Sequence, residues 1–155
     1  MGALNEQIRE RNAGNSFYRS GRLEEAMGCY TRARAILDMV KATNRDDERE
    51  LDLNRVSVLG NLAAVHMARA EFGAAAERCT EALALDEGNV KLLLRRARAL
   101  ANRADWVGAE VDMRRVKDIE PWSAEAEELA EAVRRMRARK AKEDAAFAAR
   151  SMASI

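Results

Sequence analysis

Small and large apolar residues recur along this chain in fixed columns, and the columns predict its elements. Small residues stand at Gly14, Ala63 and Ala97, and again at Ala26, Ala75 and Ala109. Large apolar residues stand at Leu23, Phe72 and Trp106, followed by Tyr30, Cys79 and Met113 and then by Ala33, Ala82 and Val116. Between the second and third members every column steps by 34 positions, as from Ala63 to Ala97; between the first and second it steps by 49, as from Gly14 to Ala63. The longer step is one period plus fifteen residues, so this is an internal repeat with one insertion. Small residues recur where two helices of a pair approach closely, and larger side chains fill the gaps between neighbouring pairs.

The pattern predicts seven helices: pairs near 5–20 and 23–41, 46–69 and 72–85, and 90–103 and 106–119, then a final helix. Gly21 and Gly88 stand at helix stops, and Asn89 and Asp105 are N-cap candidates. The extra fifteen residues fall around Asp38 to Leu53 and are expected to lengthen one helix pair and its loop. There Asn44-Arg45-Asp46-Asp47-Glu48 puts acid at a helix start, where the helix dipole favours it. The last helix begins after Pro121-Trp122, with Ser123 as its cap. Its stripe of Ala126, Leu129, Ala130, Val133 and Met136 has helical spacing and would cover the open face of the last pair. Beyond Met136 the sequence turns polar and is expected to project into solvent.

Composition supports an all-α reading. Hydrophobic residues make up 48% but aromatics only 5%, so alanine and leucine supply most of the apolar surface, and with one proline and eight glycines few strand turns are signalled. Charged residues reach 34%, yet the net charge is only +1, which argues against a general polyanion binder; no nucleic-acid partner is expected. Cys29 and Cys79 lack metal-ligand neighbours and read as two buried thiols in a reducing compartment. Met1-Gly2-Ala3-Leu4-Asn5-Glu6 lacks the order of a signal peptide, and Glu6 stands where a myristoylation motif needs Ser or Thr. No apolar run reaches membrane-spanning length, so the expectation is a cytoplasmic chain without a membrane partner.

Over about residues 5 to 120 the columns resemble the tetratricopeptide-repeat (TPR) family, whose unit is two antiparallel helices repeated every thirty-four residues. The resemblance implies an all-α, right-handed superhelix of three helix-turn-helix repeats plus a C-terminal capping helix. As a single domain over 1–155, its repeats would span about 5–41, 46–86 and 89–120, with the capping helix at about 122–150. One departure is Glu87, where the family's helix-ending proline is usual; only Pro121 keeps it.

In such an array the first helix of each pair lines the concave side. Arg11 and Asn15 are four apart, hence on one face, as are Lys91 and Arg95, with Arg98 extending the second stripe. Asn61 of the second pair should lie between them. This set is similar to the dicarboxylate clamp of co-chaperone TPR domains, in which Arg11, Asn15, Asn61, Lys91 and Arg95 would hold the two carboxylates of a C-terminal aspartate. The resemblance implies as ligand the Glu-Glu-Val-Asp tail of cytosolic heat-shock chaperones of the seventy- or ninety-kilodalton class. Ala64 would leave room for the valine. Arg11 replaces the usual lysine, a planar fork in place of a point donor. The long first pair, the Arg95-Arg96-Ala97 triplet and the tail from Arg139 to Phe147 look most like the C-terminal TPR region of large immunophilins. No isomerase domain lies within these residues.

Nothing else in the sequence points to an enzyme or a cofactor. His66, the only histidine, reads as a packed imidazole, and Trp106 and Trp122 as packing residues. No pair of carboxylates is singled out as an acid/base couple, and there is no nucleophile motif or phosphate-cradling glycine loop. The basic run from Arg134 to Lys142 raises calmodulin as a partner, with Trp122, Leu129 and Met136 as anchors. A solvated terminal helix is the favoured account of it. The alternative function is a scaffold that binds an internal partner segment or self-associates, with no need for a free carboxyl end.

Overall fold

The computed structural model describes residues 2–155 and contains seven helices: α1 (Gly2–Arg19), α2 (Leu23–Met39), α3 (Arg45–Ala68), α4 (Phe72–Leu85), α5 (Val90–Asn102), α6 (Trp106–Ile119) and α7 (Ala124–Ala153). Packing is densest within the pairs α1–α2, α3–α4 and α5–α6. The pairs stack through α2 on α3 and α4 on α5, while α1, α3 and α5 touch in turn along one side. No described helix is long and apolar enough to cross a membrane.

The columns become the core. Ala26, Ala33, Ala63, Ala75, Cys79, Ala82, Ala97, Ala109 and Val116 are all fully buried. Val58, Leu62 and Val65 of α3 pack towards the first pair with Leu37 and Leu51, whereas Leu59 and Ala63 pack towards α4 and α5. One helix thus serves two cores, as a middle element of a stack must. Burial pushes the Cys79 thiol up to about 11 and raises Cys29 as well, and the structure has both cysteines free. The fifteen extra residues lengthen α3 to 24 residues against 13 in α5, and form the connection at 40–44.

Side-chain caps set four helix starts. Asn44 accepts from the backbone N–H groups of Asp46 and Asp47, Asn89 from Leu92, Asp105 from Gly108 and Ser123 from Ala126. Asp46, Asp47 and Glu48 occupy the first turn of α3, where the dipole favours them. Without a proline at Glu87, α4 ends through Asp86, whose N–H donates to the Ala82 carbonyl.

The first helix of every pair ends in the same left-handed residue: Gly21 at φ 74°, Ala70 at φ 57° and Ala104 at φ 59°. That conformation costs an alanine about 1–2 kcal/mol, of which glycine's extra chain entropy would return roughly half. Ala104→Gly is therefore expected to raise stability by about 0.5 kcal/mol, or roughly 1–2 °C in a thermal melt. A lower melting temperature would contradict this account of the turn.

In α7, Ala126, Leu129 and Val133 are buried, and Ala130 and Met136 pack against the core of the last two pairs. From Arg137 onward every residue is exposed. Two of the three calmodulin anchors, Leu129 and Met136, are therefore committed to the fold. The third corrects the sequence reading: Trp122 does not pack but is 80% exposed, because it stands in the turn between α6 and α7. Trp106 packs against the core as expected, and half-buried His66 lies 3.3 Å from Glu71 Oε1.

Candidate functional site

The concave side is lined by α1, α3 and α5, and its polar residues fall into two adjoining groups. The first is an amide pair. Asn61 Nδ2 donates to Asn15 Oδ1 at 3.2 Å, and Tyr30 donates its hydroxyl to the same oxygen at 2.7 Å. Tyr30 is 2% exposed and its hydroxyl is pushed up to about 12, chiefly by burial, so it is a proton donor throughout the physiological range. With Asn15 Oδ1 doubly occupied, Asn15 has its Nδ2 group to offer a ligand, and a donor is what a carboxylate needs.

The second group surrounds a cavity of about 350 Å³ lined by Ala64, Lys91, Arg95 and Arg98 together with apolar residues such as Met67 and Leu94. Arg95 Nη1 donates at 2.8 Å to the carbonyl of Gly60, the residue before Asn61, which ties the cavity to the amide pair. A Cβ at Gly60 would lie 3.4 Å from Leu92 Cδ2 and 3.7 Å from Arg95 Nη1, ordinary contact distances, so the approach does not depend on glycine.

Arg11 sits further along the same side. Its Nη1 donates to Asn54 Oδ1 at 3.2 Å, an oxygen that also accepts from Gln7 Nε2 at 2.9 Å. Asn54 is itself held by donation from its Nδ2 to the Glu50 carbonyl at 2.8 Å. Asn54 and Asn61 are seven apart on α3, hence on one face, so Arg11 and Asn15 reach the same stripe of that helix. Of the seven sequence-predicted residues, four share the cavity, two form the amide pair, and Arg11 is drawn to Asn54. Sequence reasoning missed Tyr30, Asn54 and the cavity residues Tyr18 and Glu125. The one available signal was Tyr30, the only polar member of a column otherwise filled by Cys79 and Met113.

Three antiparallel helix pairs on a 34-residue register interrupted by one fifteen-residue insertion, stacked and closed by a seventh helix, make the fold of a tetratricopeptide-repeat domain, and this chain is one. It is similar to the TPR region of large immunophilins: it is 28% identical over 142 residues to the peptidyl-prolyl cis-trans isomerase FKBP4 of Homo sapiens, covering 91% of this chain and 30% of that one. Sperm-associated antigen 1 of Mus musculus is 35% identical over 113 residues, 73% of this chain and 11% of the relative. The chain thus spans about a tenth to under a third of these relatives' lengths. Among solved structures, the second TPR of Spaghetti (RPAP3), bound to an HSP90 peptide SRMEEVD, superposes with a TM-score of 0.62 at 26% identity, covering 76% of this chain and 94% of that one. No protein-family model matches the chain.

Proposed function

We propose that this domain is a protein–protein adaptor that grips the C-terminal Glu-Glu-Val-Asp tail of a heat-shock chaperone. The reading rests above all on one observation: Lys91, Arg95 and Arg98 line a single cavity beside Asn15, whose acceptor oxygen is already occupied by Tyr30 and Asn61. A surface that offers donors and positive charge suits an acceptor-only, doubly negative ligand. A C-terminal aspartate supplies one carboxylate from its side chain and one from the chain end. Lys91 and Arg95 would take these carboxylates with Asn15 and Asn61, Arg11 would close the far side, Arg98 would extend the positive stripe, and Ala64 would leave room for the valine. The peptide-bound RPAP3 domain supports the same ligand class.

Charge-assisted hydrogen bonds contribute roughly 1.5–3 kcal/mol each when well formed, but ordering a flexible tail offsets much of their sum. An affinity near micromolar, about −8 kcal/mol, is expected. Because the cavity is open to solvent and lined by Lys91, Arg95 and Arg98, binding should weaken as salt rises.

Calorimetric titration with two forms of one tail peptide tests the reading. The free acid should bind and the C-terminally amidated form should not; equal affinities would overturn the clamp and favour capture of an internal segment. Lys91→Ala removes an exposed cation without touching the core, and is expected to weaken binding at least about tenfold, or 1.4 kcal/mol, at unchanged helicity by circular dichroism.

A further inference from the structure

We propose that Glu125 makes the cavity selective for peptides that carry a positively charged residue shortly upstream of their anionic C-terminus. The inference rests on the reading that the cavity holds such a terminus. Three cations line it, and a single carboxylate faces them: Glu125, from the first turn of α7. On the same helix Glu127 pairs with Lys117 and Arg134, and Glu131 with Arg135, while Glu125 and Glu128 have no ion-pair partner among the described residues; of these two only Glu125 lines the cavity.

For a purely anionic ligand this carboxylate is a defect, since it repels what Lys91, Arg95 and Arg98 attract. It becomes an asset when the ligand brings its own cation. Glu125 stands on α7, at the end of the α1, α3, α5 row, so the cavity offers positive charge on α5 and negative charge beyond it. An extended chain advances about 3.3–3.6 Å per residue, and so crosses from one sign to the other within a few residues of its end. Such a charge pattern selects among tails by rewarding the matching residue and repelling acidic ones at the same place. Glu125 also favours the start of α7 through the helix dipole, but that role does not depend on a ligand's sequence.

The test is a double-mutant cycle by calorimetry. Free-acid peptides ending in Glu-Glu-Val-Asp carry either lysine or glutamine at each of the three positions before that motif. They are titrated into the wild-type chain and into Glu125→Gln, with circular dichroism confirming that both are folded. At one position lysine should bind roughly three- to fivefold more tightly than glutamine in the wild type, the size expected of an exposed pair, and the advantage should vanish in Glu125→Gln. Equal affinities at all three positions would overturn the proposal. So would a lysine advantage that survives in the variant, or a uniform gain in affinity for every peptide when Glu125 is neutralised. Failure of the clamp itself looks different: amidated and free-acid tails would bind alike, or neither would bind, and the selectivity would fall with it.

Discussion

Arg96→Ala is expected to lower the stability of the domain by about 3–5 kcal/mol, because it strands a buried carboxylate. Asp112 is 2% exposed, and both of its oxygens are taken by Arg96, at 2.8 Å from Nε and 2.6 Å from Nη2. The remaining guanidinium nitrogen, Nη1, donates to Thr80 Oγ1 at 3.1 Å, so one side chain of α5 ties α4 and α6 together. Removing the cation takes both hydrogen bonds from a carboxylate whose side chain is only 3% exposed, whereas removing Asp112 leaves an arginine whose side chain is 24% exposed and can rehydrate. Denaturant unfolding should therefore rank Arg96→Ala well below Asp112→Ala. Replacing both residues by leucine should recover most of the loss, since an apolar pair of similar volume avoids the desolvation cost. A loss under about 1 kcal/mol for Arg96→Ala would mean that the pair behaves as an ordinary surface contact. The helical rotation that turns Arg96 towards α6 turns its neighbour Arg95 towards Gly60 and the cavity. The same α5 thus anchors the fold on one face and presents charge on the other.

The sequence carried the seven helices because their signals are local or periodic. Asn44, Asn89, Asp105 and Ser123 cap helices within their own stretch of chain, and the small columns survive as buried positions in every pair, with Leu23, Phe72 and Trp106 partly buried against the core. The concave set was partly legible for the same reason: residues four apart share a face, which places Lys91, Arg95 and Arg98 together without knowledge of the partners. What was not legible depends on how one helix is rotated against the next. Nothing in the sequence pairs Arg96 with Asp112, sends Arg11 to Asn54, or brings Glu125 to the cavity. Trp122 misled because size and apolarity say nothing about a turn that faces outward. The left-handed positions Ala70 and Ala104 were hidden too, since only Gly21 displays the residue that such a conformation prefers.

The repeat also explains why a single methyl group at Gly14 should be costly. Gly14, Ala63 and Ala97 share one column and Tyr30, Cys79 and Met113 another, so the largest ring in its column, that of Tyr30, faces the one position with no side chain. A Cβ on residue 14 would lie 2.6 Å from Tyr30 Cε1 and 2.8 Å from Cδ1, well inside contact distance. The ring has little freedom to yield, because Tyr30 is 2% exposed and its hydroxyl is held by Asn15 at 2.7 Å. Overpacking of this kind costs about 1–3 kcal/mol, and Gly14→Ala should lose that much in urea unfolding despite alanine's better helix propensity. The variant should also bind a Glu-Glu-Val-Asp peptide less well at temperatures where it remains folded. A displaced Tyr30 leaves only the longer bond from Asn61 to fix Asn15 Oδ1, and a less firmly held amide can turn its oxygen towards the carboxylate it is meant to hold. Tyr30→Phe separates the two effects: it keeps the ring and removes only the hydroxyl, so it should spare most of the stability and still weaken the peptide by several-fold. If Tyr30→Phe binds as the wild type does, the tyrosine is a packing residue and Asn15 needs no help to face its ligand.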